Sequence, residues 1–157
     1  MHPGDDLDRA MAVMADAFDP HYREAWTRRQ VEDALTTGNC HLHLVDAQGA
    51  TIEEGVVAAG FSLSRQGYDE EELLLIAVSP QYRRKGIGRS ILEALAVAAR
   101  TRGSKRLLLE MRRGNPAESL YRAFGFSVIG ERKDYYRTAT GDRIDAITFA
   151  CEIGGWN

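Results

Sequence analysis

Gln81-Tyr82-Arg83-Arg84-Lys85-Gly86-Ile87-Gly88-Arg89 is a basic turn that contains two glycines. It lies between a continuously apolar run, residues 73–78, and a helical pattern of apolar residues that begins at Ile87. A helix that begins there directs unpaired backbone N–H groups and the positive end of its dipole into the turn. The glycines allow a ligand to approach the backbone closely, and the four basic side chains add positive charge. The stretch therefore predicts a strand, a pyrophosphate-binding turn and a helix in succession.

Two common phosphate-binding motifs are excluded for this turn. A P-loop would end in Gly-Lys-Ser/Thr, and a dinucleotide fingerprint would have three glycines in fixed spacing. Neither pattern occurs here. The plain alternative is a glycine-rich turn below the basic start of a helix, with no ligand.

The rest of the chain alternates between helical and strand-like patterns, which predicts an α/β (α+β) fold with helices on both faces of one sheet. Helices are expected at residues 5–18, 27–35, 87–102 and 117–124, and strands at 40–45, 56–64, 73–78, 107–111, 126–129 and 146–153. The last two strands are expected to be joined by a long polar segment through Tyr135 and Tyr136. No repeat or linker interrupts the pattern, so we expect a single domain, residues 1–157.

The composition argues against nucleic-acid-binding, membrane-spanning, secreted and metal-binding proteins. The 157 residues suffice for one buried core, and the net charge of -3 argues against nucleic acid as the main partner. No apolar run approaches the ~20 residues that span a bilayer, and the N-terminus lacks the basic start and apolar core of a signal peptide. The two cysteines favour reduced thiols in a cytoplasmic protein over a disulfide. His41 and His43 have no metal-ligand spacing, so no metal site is expected.

Two motifs in the expected order resemble signatures of the GCN5-related N-acetyltransferase (GNAT) superfamily. Arg83-x-x-Gly86-x-Gly88, after an apolar strand, resembles its acetyl-CoA-binding motif. The stretch 115–126, Asn-Pro-Ala-Glu-Ser-Leu-Tyr-Arg-Ala-Phe-Gly-Phe, resembles its second signature. The resemblance covers roughly residues 40–153 and implies acetyl-CoA as co-substrate and a mixed, mostly antiparallel sheet. The family usually opens with a strand before the first helix, and we expect that strand to be missing, because only residues 1–4 precede the helix.

The resemblance also implies which residues bind the cofactor. The turn would hold the pyrophosphate, and the backbone of the preceding strand would bond the pantetheine amides. Asn115 would hold the pantetheine arm, although capping the next helix is its simpler role. From Asn115 to Tyr121 the chain is one residue shorter than the family pattern, and Pro116 at the helix start should let the loop absorb the change. The full set of expected cofactor-binding residues is Ile76, Ala77, Val78, Arg83, Arg84, Lys85, Gly86, Ile87, Gly88, Arg89 and Asn115.

Glu110 is the candidate general base. It follows three leucines on an otherwise apolar strand, where a carboxylate is costly to bury unless it is paired or used. The simpler alternative is an ion pair with Arg112 or Arg113 at the end of the strand. Leu-Glu-Met-Arg at 109–112 resembles the Leu-Glu-Val-Arg of the RimI-type ribosomal-protein-alanine N-acetyltransferases, whose glutamate is the general base.

Tyr121 is the candidate general acid. Its apolar neighbours on a short helix favour a core tyrosine when the residues are considered alone. The resemblance instead assigns it to protonation of the departing coenzyme A thiolate: the thiol has a pKa near 8.5, and a tyrosine with a pKa near 10 can protonate the thiolate.

The acceptor is expected to be a peptide or protein N-terminal α-amine, with a ribosomal-protein alanine as the implied natural case. The segment 133–146 resembles the RimI-type Asn-Tyr-Tyr…Gly…Asp-Ala stretch, and residues 18–26 occupy the position of the family's substrate loop. Aromatic side chains beside acidic groups suit a cationic chain end. The alternatives left open are a small amine or a lysine side chain as acceptor, and a non-catalytic acyl-CoA-binding module. The oligomeric state is not indicated by the sequence.

Overall fold

The computed structural model describes residues 3–154, which form one six-stranded sheet and four α-helices. In chain order these are α1 Pro3–Ala17, α2 Arg28–Thr36, β1 Cys40–Val45, β2 Gly60–Gln66, β3 Glu70–Val78, α3 Ile87–Thr101, β4 Arg106–Arg112, α4 Glu118–Phe124, β5 Ser127–Arg137 and β6 Arg143–Glu152. Short 3-10 turns at Pro20–Tyr22 and Pro80–Tyr82 precede α2 and α3.

The sheet has the strand order β1-β2-β3-β4-β6-β5, and only the central pair β3–β4 is parallel. Helices cover both faces: α1 and α2 pack with one apolar cluster, and α3 and α4 pack with another. The predicted α/β (α+β) class and the mixed, mostly antiparallel sheet are therefore confirmed. Within residues 3–154 no strand precedes α1, while Met1 and His2 lie outside the described residues.

Three predicted boundaries differ from the structure for physical reasons. β2 begins at Gly60 rather than at residue 56, because Val56 and Val57 lie exposed in the preceding loop. β3 begins at Glu70, since each of its three glutamates pairs with an arginine. The prediction of a polar connection through Tyr135 and Tyr136 is wrong: those residues belong to β5, an edge strand whose mostly exposed side chains hide its strand character from a hydrophobicity pattern.

The central strands separate at one end because of a bulge in β3. Leu63 and Ser64 of β2 face Leu75 and Leu73, so Leu74 is left without a partner on β2. The extra residue reverses the alternation, so that Leu73 packs with α3 while Leu75 packs with α1. Parallel pairing with β4 ends at the same place, and a gap opens between residues 74–78 and 110–112.

α3 begins and ends as its sequence predicts. Gly86, at φ 79°, is the N-cap and provides no side-chain acceptor for the first N–H groups. At the other end Gly103 adopts φ 95°, and the N–H groups of Gly103 and Ser104 bond the carbonyls of Arg100 and Ala99. This pair of bonds is a Schellman motif, which stops the helix at the predicted glycine.

Cys40 and Cys151 are both free thiols, as expected. Across residues 3–154 no helix combines the length and apolar character that a membrane span needs. The same part of the chain contains no cluster of three or more metal-ligating side chains.

Candidate functional site

The gap between the separated strands opens into a cavity of about 1020 Å³. Its walls come from the ends of α1, β3 and β4, the turn before α3, and the start of α4. All the predicted cofactor-binding residues line it except Lys85, and so does Tyr121. Glu110 is not among the lining residues. The tertiary structure thus brings the two sequence motifs, which residues 89–114 separate in the chain, onto one cavity.

The turn before α3 forms one end of this cavity. Three features there favour an anion: the first N–H groups of α3 have no side-chain cap, no acidic residue lies in its first turn, and Arg84 and Arg89 line the wall. Gly86 holds a left-handed conformation with open space where a Cβ would stand. Gly88 lines the cavity and also allows close packing, because a Cβ there would lie 2.9 Å from Cδ2 of Leu120 on α4.

Arg83 is already engaged with backbone carbonyls. Its Nε donates to the Val78 oxygen at 3.0 Å and its Nη2 to the Ala17 oxygen at 2.8 Å. These bonds tie the end of α1 to the end of β3. The side chain therefore supports the shape of the cavity, and Arg84 and Arg89 are the guanidinium groups better placed to meet a ligand.

Asn115 and Tyr121 lie together on the cavity wall despite the shortened spacing between them. The Asn115 side-chain oxygen accepts a hydrogen bond from the Ala117 N–H at 2.9 Å, which fixes the loop before α4. The Tyr121 ring packs edge-on against Phe126 at 5.8 Å between centroids. Burial first, and the negative charge of Glu24 second, raise the pKa of Tyr121 well above its usual value. Its hydroxyl is a proton donor throughout the neutral range.

Glu110 lies on β4, directly opposite Thr148 of β6. Its Oε2 accepts from the Thr148 hydroxyl at 3.3 Å and faces Nε of Arg132 at 3.4 Å. The suggested ion pairs with Arg112 or Arg113 are wrong, because those arginines pair with other carboxylates. The Arg132 side chain is 60% exposed, so this pair holds Glu110 weakly.

Glu24 is a carboxylate on the cavity wall that the sequence motifs did not single out. Its Oε1 faces Nε of Arg112 at 3.4 Å, and its Oε2 lies 3.5 Å from Nδ2 of Asn115. Burial raises the pKa of Glu24, although Arg112 opposes this effect. The Arg112 guanidinium lies 3.5 Å over the Tyr22 ring, which fixes the loop around Glu24. No motif could have revealed Glu24, because only the fold brings residue 24 to residues 112 and 115.

The two segments expected to hold the acceptor meet in the structure. The Ala139 N–H, after β5, donates to the His21 carbonyl at 2.8 Å, so the β5–β6 hairpin is bonded to the loop before α2. Burial, followed by the charges of Glu110 and Glu24, raises the pKa of Tyr136 to about 12. Tyr136 therefore lies within electrostatic reach of both carboxylates. Trp26 packs with the apolar cluster under α1 and does not line the cavity.

Comparison with protein families gives a match to the acetyltransferase (GNAT) domain over residues 39–128. Among curated proteins, the [ribosomal protein bS18]-alanine N-acetyltransferase of Salmonella typhimurium is 42% identical over 96 residues, which cover 60% of this chain and 64% of that protein. The enzyme of the same name from Haemophilus ducreyi is 33% identical over 115 residues, covering 68% of this chain and 78% of that protein. The chain thus aligns with less than two thirds of the Salmonella relative's length.

Solved structures agree with this result. The crystal structure of the ribosomal-protein-S18-alanine N-acetyltransferase from Escherichia coli matches with a TM-score of 0.80 and 29% identity, covering 100% of this chain and 93% of that one. A GNAT family acetyltransferase from Elizabethkingia anophelis, crystallised with acetyl-CoA bound, has the same fold at a TM-score of 0.64 and 18% identity, covering 80% of this chain and 83% of that one. Since the family match spans more than half of the chain and the fold agrees, this protein belongs to the GNAT acetyltransferase domain family.

Proposed function

We propose that this protein transfers an acetyl group from acetyl-CoA to the N-terminal α-amine of a protein, and that an N-terminal alanine of a ribosomal protein is its acceptor. The observation that carries the proposal is the cavity that joins the uncapped start of α3 to Tyr121 through the gap between β3 and β4. The names of the similar Salmonella and Escherichia coli proteins support the choice of acceptor.

The chain's own residues fit acetyl-CoA. The N–H groups at the start of α3, with Arg84 and Arg89, would hold the pyrophosphate, and Lys85 would add positive charge outside the wall. β3 loses its β4 partner after Leu73, so the backbone of residues 76–78 is available to the pantetheine amides on that side. The bound cofactor would supply the thioester that is attacked.

The acid–base roles go to Tyr121 and Glu110. Tyr121 keeps its proton at neutral pH and lies on the cavity wall, so it would give that proton to the departing thiolate. Glu110 precedes the cavity-lining Arg112 by two residues on β4 and is held weakly by Arg132, and it would take a proton from the acceptor ammonium through an intervening water. An α-amine has a pKa of about 7.7–8.0 against about 10.4 for lysine, so a carboxylate base suits the chain terminus better.

The decisive experiment is a free-thiol assay with acetyl-CoA and peptides that differ only in their first residues. Peptides beginning with alanine should react, with the acetyl group located at the terminus by mass spectrometry. A peptide with a blocked terminus and a free internal lysine should not react. Acetylation of lysine alone, or of polyamines alone, would replace the acceptor proposed here, and binding of coenzyme A without any transfer would support a non-catalytic module.

A further inference from the structure

We propose that Glu24 is the residue that binds the acceptor's α-ammonium group, separate from the residue that takes its proton. The inference rests on the proposed function, since it assigns the cationic chain end of that acceptor to one carboxylate. Glu24 would thus determine whether a free amine is recognised, and Glu110 would act on the amine once it is in place.

The position of Glu24 is the first argument. It lines the cavity together with Tyr121 and Asn115, whereas Glu110 does not. The negative charge of Glu24 contributes to the raised pKa of Tyr121, on the cofactor side, and to the raised pKa of Tyr136, on the acceptor side. Glu24 therefore lies where the acceptor amine must arrive to meet the thioester.

The second argument is the unused bonding capacity of the carboxylate. An ionised carboxylate has about four lone-pair sites. The described contacts of Glu24 are Arg112 at 3.4 Å on Oε1 and the long Asn115 contact of 3.5 Å on Oε2. An ammonium that bonds Oε2 would replace the weak Asn115 contact, keep the Arg112 pair and free the Asn115 amide for the cofactor.

The third argument is the surroundings of the group. The Glu24 side chain is only 20% exposed, and a charge-assisted hydrogen bond in such a place is stronger than one at the surface. The charged or titratable groups that face it are Arg112 of β4, Asp19 of its own loop, Tyr121 of α4 and Tyr136 of β5. Arg112 is the only cation among them, and its positive charge opposes the rise that burial causes in the pKa of Glu24.

The test compares Glu24→Gln with Glu110→Gln in steady-state kinetics on an alanine-starting peptide. Glu24→Gln should raise KM for the peptide by ~10-fold or more with a smaller change in kcat, whereas Glu110→Gln should lower mainly kcat. Glu24→Asp keeps the charge and should recover part of the affinity. Glu32→Gln, an exposed carboxylate on α2 that does not line the cavity, is the matched control and should behave as wild type.

A binding measurement removes the dependence on turnover. Calorimetric titration of the free-amine peptide and of the same peptide already acetylated, both with coenzyme A present, should show that Glu24→Gln weakens only the free-amine form. Because burial raises the pKa of Glu24, wild-type binding of the free amine should weaken as pH falls through that raised value, and the variant should lose this dependence.

Two results would overturn the inference: equal weakening of both peptide forms, which indicates a loop-shaping role, or unchanged affinity for both. If wild type instead acetylates only lysine or polyamines, the proposed acceptor fails, and the effect of Glu24→Gln on that amine still decides the role of Glu24.

Discussion

At the level of single residues, the proposed chemistry depends on Glu110. Glu110→Gln keeps the shape and the Thr148 contact but removes the proton acceptor. We expect kcat to fall by ~10²-fold or more, as is typical for loss of a general base, and the acidic limb of the pH profile to change. Steady-state rates between about pH 5 and 9 measure both. A variant within a few-fold of wild type at every pH would contradict the assignment.

Tyr121 gives a second prediction at this scale. Tyr121→Phe keeps the ring packing against Phe126 and removes only the hydroxyl. The rate should fall by ~10²-fold, and by the same factor from about pH 6 to 9, because the raised pKa keeps the hydroxyl protonated throughout. A loss that disappears toward one end of this range would show that another group titrates in its place. Unchanged coenzyme A affinity is the control for folding.

At the scale of elements, the turn before α3 should provide the affinity for the cofactor. Arg84→Ala removes a cavity-lining charge, and we expect weaker coenzyme A binding, with a difference from wild type that shrinks as salt is added. Arg84→Gly removes the same charge but also relieves the left-handed φ of 64°. Calorimetry should give similar affinities for the two variants, with higher thermal stability for the glycine form.

Arg29→Ala is the matched control, since it removes one exposed positive charge on α2 away from the cavity. Its coenzyme A affinity should equal that of wild type. If it weakens binding as much as Arg84→Ala does, the effect belongs to the net charge of the protein and not to the turn.

At the scale of the whole molecule, one buried ion pair joins the sheet to α3. Glu71 of β3 is fully buried, accepts from the Ser64 hydroxyl at 2.6 Å, and binds the Arg102 guanidinium through Nε at 2.9 Å and through Nη2. Arg102→Ala leaves that carboxylate buried without its cation, so the free energy of unfolding should fall by about 3–5 kcal/mol.

An exposed ion pair at the next position of β3 provides a comparison: Glu72 pairs with Arg65 of β2. Arg65→Ala breaks the exposed ion pair with Glu72, in which the Arg65 side chain is 52% exposed and the Glu72 side chain 38% exposed. This change should lower the free energy of unfolding by about 0–1 kcal/mol. Urea unfolding at neutral pH measures both variants. Similar losses for the two would mean that Arg102 does not stabilise the fold through Glu71.

Features that depend on the local order of residues could be predicted from the sequence. The apolar run before 83–89, the two glycines and the stop at Gly103 suffice to predict β3, the turn and α3, because backbone conformation and hydrophobic periodicity are local properties. The stretch 115–126 likewise predicts α4 and the position of Tyr121. The start of β5 is predicted at 126–129, but its extension to Arg137 is not, because the mostly exposed side chains of an edge strand show no apolar alternation.

Which side chains share the cavity depends on contacts between residues that are far apart in the chain. At the bulge at Leu74, the pairing of β3 with β4 ends and the gap opens. No residue type in the sequence predicts this bulge. Glu24 meets Arg112 and Asn115 across 88 and 91 positions of the chain, a distance over which no spacing rule operates. Glu110, the candidate base from the sequence motif, is not among the cavity-lining residues, and the register of β4 with β6 places it opposite Thr148.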